Sequence, residues 1–378
     1  VSRLARFEAA LAGLERRSQR RRLIPRAGLD FASNDYLGLA ASPRLAKAVA
    51  EAAARGVPVG AAGSRLLRGN HPEHEALEAE AAAFFGAERA LYFGAGYAAN
   101  VALVAALPQR GDLVVHDALV HASVHEGLKS TKADVAAAGH NDAQSFEDAI
   151  GAWRADGGRG TPWIAAESLY SMDGDTAPVA DLLAIAEAHD GFLLLDEAHA
   201  TGVFGASGRG LGEAFEGRET LISVHTCGKA LGASGALVTG PAAIVDFLVN
   251  RAKPFIYATA PSPLMAAAVR ESLRIVAEEP ERRVALKARI AVATERLGRL
   301  GVAPTGTQIQ PVILGLNARA AEAAKRLQAL GFDCRAIRPP TVPDGTARLR
   351  ISLTLNVSED EVAALIDAIA EALTAAAA

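Results

Sequence analysis

Apolar residues along this chain fall into two alternating patterns, short continuous runs and longer stretches at helical spacing. The first stretch, residues 1–22, sets Leu4, Phe7, Leu11 and Leu14 on one face and arginines on the other, predicting an amphipathic helix with a solvated basic side. Asp30 to Leu39 reads as an extended segment breaking into a turn before a helix that starts near Pro43, and Gly56 to Gly69 as a long loop. Beyond it the expected order is helix 72–85, strand Ala90–Phe93, helix 97–107, strand Leu113–His116, helix 119–129, strand Trp163–Ala166, helix 179–189, strand Phe192–Asp196 and strand Leu221–Val224. Apolar strands alternating with amphipathic helices predict an α/β fold with a mainly parallel sheet covered by helices. A long helical stretch from 263, a strand over Gln308–Leu314, a helix and a strand over Ala347–Leu353 predict a smaller α+β domain, followed by an alanine-rich tail after Glu371. The expected division is an N-terminal helix and arm over 1–42, a large domain over 43–245 and a small C-terminal domain over 246–378 that packs with the arm.

Composition narrows the function classes. A chain of 378 residues, half of them hydrophobic, is long enough for a sizeable core. A formal net charge of −4, with no basic block beyond Arg16 to Arg22, argues against nucleic acid as a partner. Cys227 and Cys334 are too few for a disulfide framework or, by themselves, for a structural zinc site. The segment Val1-Ser-Arg-Leu-Ala-Arg-Phe-Glu lacks a continuous apolar stretch, and nothing later approaches a membrane span. A cytoplasmic protein with no membrane partner is expected.

Ligands of open parallel sheets collect at the carboxyl ends of the strands. There, strand 192–195 runs into Asp196-Glu-Ala-His199. A carboxylate leaving a buried apolar strand needs a cationic partner or a metal. The pyridinium nitrogen of pyridoxal phosphate (PLP) fits, because an ionised Asp keeps it protonated. The same four letters form the DEAH box of helicases. That reading requires a G-x-x-x-x-G-K-[ST] phosphate loop, and around Gly228-Lys229 the first glycine position is Ser223 and the last position is Ala230.

Lys229 lies in the turn His225-Thr-Cys-Gly-Lys-Ala-Leu-Gly-Ala-Ser-Gly, about thirty residues past Asp196. A lysine among small residues in a crevice can act as a Schiff-base nucleophile, and the alternative is a solvated cation. Gly94-Ala-Gly-Tyr97 either aims backbone N–H groups at an anion or is only a tight strand-to-helix turn. His116, His121 and His125 cluster near one strand end, and His71 and His74 flank Pro72-Glu73. Nothing in their spacing enforces a metal geometry, so no metal is expected. Cys227 reads as a small buried residue and Arg350 as an exposed strand charge.

Taken in order, these pieces resemble the α-oxoamine synthases, fold-type I PLP-dependent transferases that condense an amino acid with an acyl thioester and release carbon dioxide. The resemblance covers nearly the whole chain. It rests on Ser33-Asn-Asp-Tyr-Leu-Gly, Gly63-Ser-Arg-Leu-Leu-Arg-Gly-Asn-His, Gly94-Ala-Gly-Tyr-Ala-Ala-Asn, Asp117-Ala-Leu-Val-His-Ala-Ser, Glu167-Ser-Leu-Tyr-Ser-Met-Asp-Gly-Asp, Asp196-Glu-Ala-His, Thr226-Cys-Gly-Lys and Arg348-Leu-Arg-Ile-Ser-Leu-Thr.

The resemblance implies that Lys229 binds the cofactor covalently, Asp196 pairs with its ring nitrogen and His121 stacks on its ring. It further implies that Ser171 and His199 contact the phenolic oxygen, while the Gly96 and Tyr97 amides and the Thr226 hydroxyl hold the phosphate. Arg350, assisted by Asn34, would clamp the amino-acid carboxylate, and Arg21 is a further candidate substrate contact. A homodimer with its active site at the interface is implied as well. Gly63-Ser-Arg-Leu and the compact N-terminus are most similar to the branch that uses L-alanine and an acyl-CoA, while the glycine- and serine-using branches stay open. Two positions depart from the family pattern. Ala95 replaces a frequent serine before the phosphate turn, and in Phe255-Ile-Tyr-Ala-Thr-Ala only Thr259 keeps a hydroxyl that would reach the neighbouring subunit's phosphate.

Overall fold

The computed structural model describes residues 3–375. Along the chain run α1 (Ala5–Arg16), β1 (Leu29–Asp30), α2 (Pro43–Ala54), α3 (Pro72–Phe85), β2 (Arg89–Phe93), α4 (Gly96–Ala106), β3 (Leu113–Asp117), α5 (Ala122–Leu128), β4 (Asp134–Ala138), α6 (Ala143–Ala155), β5 (Pro162–Glu167) and α7 (Val179–Ala188). They are followed by β6 (Phe192–Asp196), β7 (Leu221–Thr226), β8 (Ala236–Gly240), α8 (Ala242–Arg251), α9 (Lys253–Ile256), α10 (Pro263–Glu278) and α11 (Glu281–Arg299). The last elements are β9 (Ile309–Gly315), α12 (Asn317–Ala329), β10 (Phe332–Asp333), β11 (Arg335–Ile337), β12 (Ala347–Ser352) and α13 (Glu359–Ala375).

The chain divides into two compact units. The larger holds Leu37–Ser171 and Asp175–Arg283; the smaller holds the residues up to Tyr36, Met172–Gly174 and those from Val284 onward. Residues 246–283 therefore fall in the larger unit, where α10 packs against α2 and α3.

In the larger unit, seven strands form one sheet in the order β2-β8-β7-β6-β5-β3-β4. β8 runs antiparallel to both of its neighbours; the other pairings are parallel. The period of two in a strand explains how apolar runs fill both faces. Val114 and Leu194 join one apolar cluster with Leu91, Leu103 and Ile222. Their sequence neighbours Leu113, Val115, Leu193 and Leu195 join a second with Phe146 and Leu182. The parallel expectation holds, and β4 and β8 are additions. β4 is hidden in the sequence by its Asp-Val-Ala-Ala-Ala composition, which carries little strand signal.

Two helix starts differ from the sequence pattern for local reasons. The helix expected from 119 begins at Ala122, because the Asp117 carboxylate captures the Leu119 N–H at 2.8 Å and His121 then caps the helix. The N-terminal helix expected over 1–22 spans Ala5–Arg16 and is followed by Ser18 at φ 53°, a left-handed conformation that ends the helix; residues 1 and 2 lie outside the described residues. Leu4, Phe7 and Leu11 at α1 are exposed. The alanine-rich tail is described as far as residue 375, within α13.

In the smaller unit, β11, β12 and β9 form an antiparallel sheet and β1 pairs with β10. Residues of α12 pack against that sheet and against α13.

Candidate active site

Neighbouring strands β3, β5, β6 and β7 end in Asp117, Glu167, Asp196 and Thr226. Their carboxyl ends thus carry three acids and a hydroxyl along one edge of the sheet, and each acid is treated differently. Asp196 Oδ1 accepts the Ala198 N–H at 2.8 Å and Oδ2 accepts the Asn100 amide at 2.6 Å. Two N–H donors on a buried side chain suit a carboxylate.

Glu167 sits beside Asp196 in the strand register, yet only its Oε2 is engaged, accepting the Ser171 N–H at 3.2 Å. Its Oε1 is buried with no partner among the described residues. Burial, and then the negative charge of Asp196, push Glu167 well above the usual carboxylate range, against a smaller pull from Lys229. The setting of Glu167 thus favours its protonated form.

For Asp117, burial would raise the pKa, but His140 and the N–H groups of Asn141 and Leu119 hold it below the usual value. Burial opposes the charge on His140 in turn. Its bonds to Asp117 at 2.9 Å and Asp175 at 2.8 Å outweigh that and raise it to about 10.

The loops after these strands and after β2, with the segment after α9, carry the remaining candidates of the larger unit. Lys229 lies in a turn closed by Cys227 N–H to Gly235 O at 2.9 Å and Ala233 N–H to Cys227 O at 2.8 Å. Gly235, at φ 99°, admits no side chain there, since a Cβ would lie 2.4 Å from the Tyr92 ring. The turn sets Lys229 Nζ 2.8 Å from Nε2 of the buried His199.

Gly96 and Tyr97 open α4, whose N-cap Ala95 offers no capping side chain, so the helix start is suited to an anion. The departure from serine at Ala95 keeps that helix end free of a built-in acceptor. A Cβ on Gly96 would stand 3.5 Å from Thr226 Oγ1, so the missing side chain leaves the space beside that hydroxyl open. His121 lies edge-on to Tyr97 with centroids 6.4 Å apart, and it is exposed, leaving a ring face available for stacking. Thr259 is exposed in the segment after α9. An acceptor for a ring N–H, an amine, an imidazole and an anion-binding helix start are what a phosphorylated aromatic aldehyde requires. The residues fit such a group.

In the smaller unit, Arg350 is buried, which corrects the reading of an exposed strand charge. β12 is the central strand of its sheet, and its residues are buried throughout. Arg350 donates to Asn34 Oδ1 at 3.1 Å, Ser352 Oγ at 2.7 Å and the Tyr36 hydroxyl at 3.4 Å. Arg21 is exposed and donates to Thr341 Oγ1 at 2.8 Å. Among the described residues no cluster of His, Cys, Asp and Glu could hold a metal ion. His71 instead caps α3 through the Glu73 N–H at 3.1 Å, and His116 packs edge-on against His125. Cys227 is buried and its thiol is pushed up by that burial, in keeping with a packing role.

The family model of aminotransferase class I and II matches residues 26–369. The chain belongs to that family. The DEAH letters at Asp196–His199 are thus the strand end of an aminotransferase-family sheet rather than a helicase box. Among its relatives in the family, the 8-amino-7-oxononanoate synthase of Chromobacterium violaceum is 44% identical, over 90% of this chain and 88% of its own. A solved 8-amino-7-oxononanoate synthase from Francisella tularensis superposes with a TM-score of 0.78 at 26% identity, covering 93% of this chain and 99% of the other. Serine palmitoyltransferase from S. paucimobilis with PLP–myriocin bound shares the fold, with a TM-score of 0.90 at 24% identity over 99% of each chain.

The sequence alone does not point to Asn100, Ser123 or His140 as parts of this site. Asn100 ends the block Gly94-Ala-Gly-Tyr-Ala-Ala-Asn, but only its place one turn into α4 turns its amide toward Asp196.

Proposed function

We propose that this protein is an 8-amino-7-oxononanoate synthase. It would use PLP to condense L-alanine with pimeloyl-CoA, or with a pimeloyl carrier-protein thioester, yielding 8-amino-7-oxononanoate, free CoA or carrier, and carbon dioxide. The observation that carries the chemistry is the Lys229 amine 2.8 Å from His199, in the same crevice as the doubly hydrogen-bonded Asp196. What supports the choice of product is 44% identity to a synthase of that name, against a likeness to serine palmitoyltransferase of fold alone.

When bound, PLP supplies an aldehyde that captures the amine of an amino acid and a ring that takes up the electron pair released at its α-carbon. Lys229 would carry the cofactor through Nζ and, once displaced by alanine, take the α-proton on that same nitrogen. His199 Nε2 would hold the amine in line and, with Ser171, hydrogen-bond the phenolic oxygen. Asp196 would keep a proton on the ring nitrogen, while His121 stacks on the ring. The amides of Gly96 and Tyr97 and the Thr226 hydroxyl would hold the phosphate. Arg350, with Asn34, would grip the carboxylate of alanine as a charge-assisted pair. Arg21 would be a further substrate contact, and Thr259 would reach the phosphate held by a neighbouring subunit.

A homodimer is part of this reading. The exposed apolar stripe Leu4, Phe7 and Leu11 at α1 is a surface that a second copy would cover. A reducing cytoplasm suits the two free, buried cysteines. Among the described residues no helix is long and apolar enough to cross a membrane.

A CoA-release assay crossing alanine, glycine and serine with pimeloyl, succinyl, acetyl and palmitoyl thioesters tests the substrate assignment. Turnover is expected with alanine and pimeloyl-CoA. Preference for another pair moves the protein to a different α-oxoamine synthase. Light scattering tests the assembly, and an active monomer would remove the dimer.

A further inference from the structure

Four side chains form a continuous hydrogen-bonded line from Asp196 to His121. Asp196 Oδ2 accepts from Asn100 Nδ2 at 2.6 Å, and the same nitrogen donates to Ser123 Oγ at 3.0 Å. Ser123 Oγ lies 2.7 Å from His121 Nδ1, which also accepts the Ser123 backbone N–H at 3.2 Å. Asn100 and Ser123 are buried, so neither can exchange these partners for water.

The order of protons along this line is forced. A carboxylate at Asp196 only accepts, so the Asn100 amide must turn its NH2 toward it, one N–H to Asp196 and the other to Ser123. Ser123 Oγ then accepts from Asn100, and its single proton points to His121 Nδ1. Nδ1 thereby receives two donors, the hydroxyl and the backbone N–H of Ser123, and can carry no proton of its own. The ring proton belongs on Nε2.

We propose that Asn100 and Ser123 are positioning residues that convert the negative charge of Asp196 into a fixed tautomer of His121, neutral with its proton on Nε2. The consequence is chemical. Asp196 keeps the ring of the bound cofactor positive, and a cationic imidazole stacked on that ring would repel it, whereas a neutral one does not. Nε2 is left as an N–H donor, and Nδ1 is closed to proton transfer, so α-proton abstraction remains with Lys229. Desolvation, then the positive charge of Lys229, also hold His121 below the ordinary imidazole value, against the pull of Asp196. The tautomer rests on the PLP reading only for what His121 stacks on.

Histidine side-chain 15N NMR of the full-length protein, recorded with and without PLP, tests it, with a His121→Phe variant to assign the resonance among the nine histidines. In the wild type the signal is expected in the neutral Nε2–H pattern at neutral pH and above. Ser123→Ala removes one of the two donors and is expected to raise the titration midpoint of His121 by about one pH unit, the worth of one hydrogen bond. Asn100→Ala does not touch the ring, yet it is expected to shift the same resonance by freeing the Ser123 hydroxyl to rotate, and Ser123→Thr is expected to restore the wild-type midpoint. A wild-type His121 protonated on Nδ1, or an unmoved resonance in both alanine variants with circular dichroism intact, overturns the proposal. Failure to bind PLP would be seen separately in the absorption spectrum and would count against the cofactor reading alone.

Discussion

Glu167 and Asp196 stand side by side in the register of β5 and β6, yet two donors converge on Asp196 while Oε1 of Glu167 has no partner among the described residues. Burial beside the charge of Asp196 favours the protonated form of Glu167, while the two N–H donors on Asp196 suit a carboxylate there. The folded-state pKa of Glu167 lies above its unfolded value of about 4.3. As pH climbs past that value, the unfolded chain releases the proton while the folded one retains it, so the fold loses stability until the folded pKa is passed. Glu167→Gln removes this drain and keeps the acceptor for the Ser171 N–H. The unfolding free energy of the variant in urea is expected to gain on the wild type as pH rises above about 4.3, and to level off once the folded pKa of Glu167 is passed. A gap that does not change with pH would show that Glu167 is not the titrating group.

Lys229 has two assignments, cofactor attachment and proton transfer, and the two separate experimentally. The wild type is expected to show a visible absorption band that borohydride abolishes, and Lys229→Ala to lack that band and lose turnover by about 10³-fold or more. His199→Asn keeps Lys229 able to bind PLP but removes the nitrogen 2.8 Å from Nζ. It is expected to keep a borohydride-sensitive band while kcat falls about 10²-fold. Full activity in His199→Asn would leave the 2.8 Å contact without a catalytic role.

Arg350 is held in place by Asn34, Ser352 and Tyr36, so its guanidinium is oriented before any substrate arrives. Arg350→Lys keeps the charge and loses the planar fork. The KM for alanine is expected to rise about 10- to 100-fold with a much smaller change in kcat, as for a contact used equally in binding and in reaction. An unchanged KM would remove Arg350 from the substrate carboxylate. Melting temperature serves as the control, because the three neighbours also lose their anchor.

How much of this is legible in the sequence depends on where each residue draws its meaning. β6 is readable because a run of leucines ending in an acid marks a buried strand that delivers a carboxylate to a crevice, and Lys229 because glycines surround it. The alternation of strands and helices also predicts the parallel sheet, since both faces of β5 and β6 are buried and their runs are continuous. Arg350 reads as an exposed strand charge, because alternating Arg-Leu-Arg-Ile on a strand predicts one wet face. In the structure that face is closed, with Arg348 paired to Asp173 at 2.5 Å and Arg350 bonded to Ser352. Asn100, Ser123 and His140 are illegible for a different reason. Each acts through a partner between 23 and 96 residues away, and only the fold supplies that partner.

His140 offers the clearest dependence on pH. Its ring bridges Asp117, at the end of β3, and Asp175, and in this setting its pKa rises to about 10 from about 6.5 in an unfolded chain. A cation whose folded pKa is raised contributes its full stability below about pH 6.5 and loses it progressively as pH climbs through about 10. Asp117 behaves oppositely, since its depressed pKa withdraws stability only as pH falls into the acid range. His140→Gln preserves hydrogen bonding but not charge. At pH 6 it is expected to cost about 2 kcal/mol, because it leaves buried Asp117 without its cationic partner. Measured by urea denaturation, that cost should shrink steadily between pH 7 and pH 10, where the unfolded wild type has released its proton and the folded one still holds it. A cost that stays constant across this range would mean that His140 acts by shape and hydrogen bonding alone, and that Asp117 keeps its charge without help from the imidazole.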